Sequence, residues 1–449
     1  MSKRPELPPG PYLIVGLGRS GIAAARALRA RGATVAGYDA GEPREAASLS
    51  GEGVELRLGE ASAETLLEGV RTLVKSPGVP DAAPVISAAR AQGLGVVGEL
   101  ELAWRLLGNE FIAVTGTNGK TTTVELIGHI HRQAGRAVAV AGNVGTALSS
   151  LVGALGREAT VVCEVSSFQL HDAACFAPEV GVLLNVAPDH LDRHETMEAY
   201  LAAKLKLFAH QRERDFAIAP ADMLALLPSV RKVAFADRRG ADMCEHDGRL
   251  WWRESALLDV AELPLRGRHN VENAMASAAA CLVRGLEAAD VRAGLRSFRG
   301  VPHRLQEVAR RDGVLYVNDS KATNVASALV ALEAFAGRAQ VHLILGGQGK
   351  GQDFAPLCEP VQRGCAGVYL IGEDAAAIER ALAGAGTPVV RCGDLDRAVH
   401  ASRTAARPGD VVLLSPACAS FDQFSDFEAR GERFCELVRE GGFGPTASK

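Results

Sequence analysis

Aromatic side chains are scarce in this chain, at 5% of its residues, so its cores have to be built mainly from Ala, Val, Leu and Ile. Long apolar runs are missing too. The longest, such as 181–184 and 411–414, have the length of strands and fall far short of a membrane span. There is no excess of base, with 49 Lys and Arg against 53 Asp and Glu, so no broad positive field exists to hold a nucleic acid. Nine cysteines, an odd number scattered without a C-x-x-C pair, argue against both a zinc site and a disulfide framework. The Pro-rich start MSKRPELPPG runs straight into a strand and does not read as a signal peptide. A reducing cytoplasm, no nucleic acid and no membrane are the expectations. No internal repeat or low-complexity tract is visible.

What is present is the composition of a folded protein, 47% hydrophobic and 23% charged over 449 residues. That length implies about three domains. Short apolar strands alternate with helical stretches, the pattern of parallel sheets covered by helices. Strands are expected at 12–15, 34–38, 72–75, 111–115, 160–164, 180–186, 314–318, 341–345, 367–371, 388–391 and 410–414. Between 231 and 263 the pattern weakens into hairpin-like pieces around Asp247-Gly248. Breaks near 106–110 and 299–301 divide the chain into 1–107, 108–300 and 301–449.

Glycine is the one excess, 48 residues, and three clusters of it end strands. In GLGRSG, Gly16, Gly18 and Gly21 lie between a strand and an Ala-rich helix, and Asp39 closes the next strand. This G-x-G-x-x-G pattern allows a tight turn and close backbone approach to a diphosphate. NAD or FAD, another diphosphate-bearing nucleotide, or no ligand at all remain open on these residues alone.

The second cluster, Gly116-Thr117-Asn118-Gly119-Lys120-Thr121, follows the strand FIAVT and opens a helix. Val114 stands five positions before Gly119, so this is a shortened G-x-x-G-K-T loop rather than the usual G-x-x-x-x-G-K-[ST]. It still supplies backbone N–H groups for phosphate, a lysine charge and a hydroxyl for Mg²⁺. Glu164 ends the strand Thr160-Val161-Val162-Cys163-Glu164, and a buried strand-end carboxylate is rare unless paired or metal-bound. His190, in the cluster Asp189-His190-Leu191-Asp192, is a candidate second metal ligand. On pattern alone, Lys204 and Lys206 read as a solvated helix face, and Asn270 and Asn273 as caps or surface groups.

These residues resemble the Mur ligase family, ATP-dependent amide-bond ligases of peptidoglycan precursor synthesis. The shortened loop is shared across that family and with folylpolyglutamate synthases. GLGRSG, EVSSFQL, NVAPDHLDRH, RHNVENAMAS, VPHRL, VNDSKATN and LLSPACASFDQF carry the likeness further, in order from about residue 12 to residue 434. The resemblance implies an α/β protein of three domains: a Rossmann-like N-terminal domain, a P-loop-type central ATPase domain with a mainly parallel sheet, and a Rossmann-like C-terminal domain. It implies UDP-N-acetylmuramoyl-L-alanine and D-glutamate as substrates, ATP and two Mg²⁺ ions as cofactors, and a monomer.

It also implies roles. Gly18, Arg19, Ser20 and Asp39 would meet the uridine diphosphate, with Asn143 and Ser166 on the muramoyl substrate. Gly116, Thr117, Asn118, Gly119, Lys120, Thr121, Thr122, Asn270, Asn273, Arg304 and Asp319 would bind ATP. Thr121 and Glu164 would hold one Mg²⁺, and His190 with a carbamoylated Lys204 the other; Lys120, Glu164, His190 and Lys204 would serve catalysis. Lys321, Thr323, Lys350, Ser420 and Phe427 would take D-glutamate. Because ATP contacts would come from two domains, closure on binding is expected. Two departures stand out. Gln348 replaces an acidic residue of some relatives, and Gly41 lies where some carry a basic one, which leaves the D-glutamate and uracil contacts open. An NAD-dependent dehydrogenase would account for only the first 40 residues. A P-loop switch protein would leave the third domain unexplained.

Overall fold

The short strands of the chain assemble into three sheets of five, nine and six strands. The computed structural model describes residues 4–143, 145–187, 194, 196–228, 230–265, 267–349 and 351–440. Two compact units result, Met1–Phe298 and Arg299–Lys449.

The first sheet contains β1 (Tyr12–Val15), β2 (Val35–Asp39), β3 (Glu55–Leu58), β4 (Thr72–Lys75) and β5 (Gly95–Gly98), in the order β3-β2-β1-β4-β5. All its pairings are parallel. Side chains alternate across it: Tyr12 and Ile14 enter one apolar cluster with Ala24 and Leu28 of helix α1 (Arg19–Arg29). Leu13 and Val15 enter the other with Leu73 and Ile86. The strand order reverses between β1 and β4, which places the Gly16 turn and the Ser76-Pro77-Gly78 loop side by side.

The same unit holds a nine-stranded sheet ordered β14-β13-β12-β11-β10-β9-β6-β8-β7. Its parallel part is β6 (Glu110–Thr115), β7 (Val138–Gly142), β8 (Thr160–Glu164), β9 (Val180–Leu183), β10 (Phe216–Pro220), β11 (Arg231–Ala236) and β12 (Met243–His246). The weak-patterned region forms an antiparallel extension through β13 (Arg249–Trp252) and β14 (Ser255–Asp259), with Asp247 at φ 52 in the turn. Helix α2 (Glu99–Leu106) precedes this sheet. Its Trp104 meets Phe176 edge-on at 5.8 Å, and Phe176 meets Phe111 at 6.1 Å. Helix α3 (Lys120–Gln133) packs on the Ala-rich α6 (Arg268–Val283), where Ala274, Ala276 and Ala278 are buried and let the two axes come close. Between them in sequence lie α4 (Ser167–His171) and α5 (Met197–Leu205).

The second unit is a six-stranded sheet, β15-β16-β20-β17-β18-β19. Strand β15 (Gln306–Arg311) pairs antiparallel with β16 (Val314–Asn318) across Asp312-Gly313, as expected. The rest, β17 (Val341–Gly346), β18 (Cys365–Ile371), β19 (Val389–Gly393) and β20 (Val411–Leu414), is parallel. Two apolar clusters cover its faces, with Val317, Leu343 and Leu413 in one and Tyr316, Ile344 and Val412 in the other. Helix α7 (Phe427–Glu440) joins the second cluster through Phe434 and Leu437.

All nine cysteines are free thiols, seven buried and two, Cys175 and Cys358, half-buried. Burial pushes the Cys365 and Cys418 thiols up to about 12. Among the described residues, no helix is long and apolar enough to cross a membrane.

Candidate active site

The turn after β1 is held by atoms the motif alone does not name. Gly16 adopts φ 89, and a Cβ on Gly21 would lie 1.9 Å from the Gly16 carbonyl oxygen, so only glycine fits there. Ser76 Oγ donates to that same carbonyl at 2.7 Å, tying the β4 loop to the turn. Asp39 accepts from Leu17 N at 2.7 Å with one oxygen and from Gly41 N at 2.8 Å with the other. Each oxygen keeps a second lone pair, so Asp39 both shapes the turn and remains an acceptor. Gly18 caps α1, and the exposed Arg19 donates to Gly145 O at 3.2 Å in the segment that follows β7.

In the central sheet the neighbours of β6 are β8 on one side and β9 on the other, so the loop after β6 leaves at a point of reversal. Gly119 has φ 86, and a Cβ there would lie 2.3 Å from Asn273 Oδ1. Asn185 braces the loop, accepting Thr117 N on its carbonyl at 3.0 Å and Asn118 N on its side chain at 2.9 Å. Lys120 Nζ folds back to Gly116 O at 3.0 Å and Thr117 O at 2.9 Å.

Thr121, in the first turn of α3, donates to Glu164 Oε2 at 2.7 Å, and Asn143 Nδ2 donates to Oε1 at 3.1 Å. Glu164 is 3% exposed. The hydroxyl and carboxylate form an all-oxygen pair at the loop, the donor type that suits Mg²⁺. Lys204 is 1% exposed and donates to Gly116 O at 2.8 Å, with its ammonium over the Tyr200 ring at 4.3 Å. Its reading from pattern alone, a solvated lysine, is therefore corrected. The face of α5 that carries Tyr200, Ala203 and Lys204 turns inward, whereas Lys206 is exposed. His190 lies outside the described residues.

Asn273 joins the same neighbourhood. Its Oδ1 accepts from Thr123 Oγ1 at 3.3 Å, and its Nδ2 approaches Asn270 Oδ1 at 3.4 Å. Together with Thr122 the two asparagines edge an apolar crevice containing Leu126, Leu263 and Phe298. Ser166 caps α4: its Oγ accepts Gln169 N at 3.2 Å, while Gln169 Oε1 accepts Ser166 N at 3.0 Å.

In the second unit, Asp319 follows β16 and is 5% exposed. Its oxygens accept Leu305 N at 3.1 Å and Ser415 Oγ at 2.8 Å, and burial pushes its carboxyl up to about 6. His303, Leu305 and Ala417 all sit at positive φ, 60, 43 and 56. Positive φ is uncommon for non-glycine residues; Asp247 and Asp312 adopt it in hairpin turns, whereas His303 and Leu305 flank Arg304 and Ala417 lies close in sequence to Ser420. Lys321 Nζ stands 5.9 Å over the half-buried Phe427 ring, and Thr323 and Arg304 are exposed. The loop after β17 pairs with the Cys418–Ser420 segment through Gln348 N to Ala419 O at 2.9 Å, which brings the third glycine cluster, Gly346, Gly347 and Gly349, beside buried Ser420. Lys350 lies outside the described residues.

Arg430 escaped the reading of the motifs. It is 1% exposed on α7 and donates to Ser320 Oγ at 2.9 Å, Ser320 O at 2.9 Å and Cys418 O at 3.0 Å. Burial lowers its pKa to about 10. A charged residue in a helix reads as surface unless something in the sequence says otherwise, and nothing near Arg430 does. Asn185 and Ser76 were likewise invisible as braces, because their partners are far off in sequence.

Parallel sheets carrying glycine-rich loops at their carboxyl edges, one with Lys120, Thr121 and Glu164 in register, define a phosphate-loop α/β protein. Known proteins narrow this. Residues 11–98 match the Mur ligase MurD-like N-terminal domain, 114–281 the Mur ligase middle domain and 303–418 the Mur ligase glutamate ligase domain. The chain is 43% identical over 446 residues to a UDP-N-acetylmuramoylalanine–D-glutamate ligase of Pelotomaculum thermopropionicum, covering 95% of this chain and 96% of the relative. It is 44% identical over 463 residues to the ligase of the same name from Anaeromyxobacter dehalogenans, covering 97% and 99%. Among solved structures it resembles the UDP-N-acetylmuramate–alanine ligase MurC of Thermotoga maritima, with TM-score 0.57, 20% identity and coverage of 96% and 99%. MurF ligase of Thermotoga maritima in complex with ADP gives TM-score 0.53 at 19% identity, covering 91% and 94%. The chain belongs to the Mur ligase family.

Proposed function

We propose that this protein joins D-glutamate to UDP-N-acetylmuramoyl-L-alanine at the expense of ATP, in peptidoglycan precursor synthesis. The observation that carries the reading is the Lys120–Thr121–Glu164–Asn143 arrangement at the phosphate loop, within a chain alike over nearly its whole length to ligases of that name. The substrate carboxylate attacks the γ-phosphorus, giving an acyl phosphate and ADP; the amine of D-glutamate then attacks the carbonyl carbon and phosphate leaves. Lys120 supplies a charge that swings from the Gly116 and Thr117 carbonyls to the transferring group. Asn143 orients Glu164, and the Gly116–Gly119 backbone fixes the direction of attack. Mg²⁺ held by Thr121 and Glu164 would neutralise phosphate charge.

The remaining roles follow the same reading. Lys204, desolvated beside Gly116 O, adds as a neutral amine to CO₂, loses a proton and becomes a carboxylate-like ligand shared with His190. Asp39, Gly18, Arg19 and Ser20 take the uridine diphosphate; Asn270, Asn273, Arg304 and Asp319 take ATP. Lys321, Thr323, Lys350, Ser420 and Phe427 take the amino acid. Domains of 1–107, 108–300 and 301–449, a monomer and a cytoplasmic setting complete the proposal.

The test is phosphate release from ATP with UDP-N-acetylmuramoyl-L-alanine and a panel of amino acids. Release is expected to depend on D-glutamate, and release indifferent to it would overturn the assignment. A Lys204→Ala protein that kept full activity would remove the carbamate.

A further inference from the structure

Away from the phosphate loop, the central sheet has a second charged cavity. Asn109, Arg157, Glu179 and Asp215 stand just before β6, β8, β9 and β10, which are neighbours in the sheet, so the cavity lies under the amino edge of four adjacent parallel strands. The phosphate loop leaves the opposite edge of β6. Six residues at about 3.3 Å each put roughly 20 Å between the two. The cavity measures about 910 Å³, the size that takes a nucleotide-sized ligand.

Its lining holds six arginines against three acids, in a protein whose net charge is -4. Three of the arginines have structural work. Arg4 donates to the carbonyls of Trp104 and Leu107, Arg31 to Leu106 O at 3.1 Å, and Arg105 to Glu101 at 2.8 Å, all at the carboxyl end of α2. Two of the acids are engaged as well. Glu179 accepts Phe111 N at 2.8 Å and faces Arg4, and Asp215 accepts Arg212 N at 2.8 Å. The other three guanidinium groups are exposed. Arg214 reaches Asp215 only at 3.9 Å, and Arg157 and Arg212 have no carboxylate within 4.0 Å among the described residues. Like charges gathered round one concavity repel unless an anion joins them, and a low-dielectric wall focuses their field on it. Guanidinium forks match phosphate and carboxylate oxygens in pairs.

We propose that this cavity is a second ligand site, taking a small polyanion that carries adjacent phosphate or carboxylate groups, held by Arg157, Arg212 and Arg214. Its wall includes Arg4–Leu7 of the amino-terminal lead, the end of α2 and the amino edge of the central sheet. A bound anion would therefore brace the first sheet's flanking helix against the central sheet.

Equilibrium dialysis of the full-length protein with labelled inorganic pyrophosphate tests this. An Arg157→Gln/Arg212→Gln/Arg214→Gln variant is expected to bind one equivalent fewer than wild type while keeping ligase activity, and Lys120→Ala is expected to retain that equivalent. Equal stoichiometry in wild type and triple variant would overturn the site. Diffraction from wild-type crystals soaked in tungstate gives an independent reading: an anomalous peak among the three arginines supports the proposal, and its absence counts against it. Neither readout depends on which amino acid the enzyme ligates.

Discussion

Asp319 carries its burial as a measurable pH dependence. Desolvation lifts its carboxyl from 3.8 to about 6, although Ser415, Leu305 N and Arg304 pull the other way. A raised acid pKa means the native state prefers the protonated form. The associated stability is full below about 4 and is lost as pH rises through about 6, on the order of 3 kcal/mol in all. Asp319→Asn lacks that loss. Urea unfolding at several pH values should show the variant gaining on wild type between about pH 4 and pH 6; a constant difference would count against the shift. At the phosphate loop, Lys120→Ala should lower phosphate release about 10²–10³-fold, the cost of one electrostatic group aimed at developing charge, and a loss under tenfold would remove Lys120 from that role. Residues in contiguous strings, such as Thr121 and Lys120, were readable because loop chemistry is local. Lys204 was not readable from its own surroundings, since Ala202-Ala203-Lys204-Leu205-Lys206 has no helical stripe to say which lysine turns inward.

At the scale of elements, the joints between loops matter as much as the loops. Lys75 ends β4, immediately before the Ser76 that grips the Gly16 turn, and its ammonium lies 2.7 Å from Asp172 and 3.4 Å from Asp81. Asp172 caps the carboxyl end of α4, the helix whose amino end is capped by Ser166, two residues past Glu164. The Lys75 and Asp172 side chains are 1% and 3% exposed. Asp81, His171 and Asp172 cluster like metal ligands, yet Lys75 already answers both carboxylates with its charge. The pair thus links the glycine turn of the first sheet to the strand end that carries Glu164. Lys75→Met leaves a buried carboxylate whose Oδ1 already has no hydrogen-bond partner among the described residues, and should cost about 3–5 kcal/mol in urea unfolding. Lys75→Met/Asp172→Leu should recover most of it; a double variant as weak as the single one would refute the tie. Strands β1, β6, β8, β9, β16, β17 and β20 were legible because they are buried on both faces and read as apolar runs. Strand β7, which leads to Asn143, was not expected, its Val138–Val140 being only half-buried. Strand β3 escaped because Glu55-Leu56-Arg57-Leu58 is a half-exposed edge, and β5 because Gly95-Val96-Val97-Gly98 is too short to show a period. The strand expected over 180–186 ends at Leu183, where the chain leaves the ladder to brace the phosphate loop through Asn185.

At the scale of the molecule, the length implied about three domains and the chain forms three sheets, and composition implied cores of aliphatic residues; among the described residues Trp104, Phe111 and Phe176 add an edge-to-face aromatic group to them. The second unit has apolar clusters on both faces of its own sheet, so a 299–449 fragment should unfold in a single cooperative thermal transition followed by circular dichroism. A broad, non-cooperative melt would show that it borrows stability from the rest of the chain. The free thiols offer something further. With seven of nine buried and Cys365 and Cys418 held in the protonated state by burial, the native chain should react only slowly with maleimide dyes, Cys175 and Cys358 being the half-buried exceptions to replace first if they label. Cysteines placed by mutation on exposed positions, one in each unit, would then take fluorophores selectively, and energy transfer between them could follow the enzyme through a turnover without first stripping out its buried thiols.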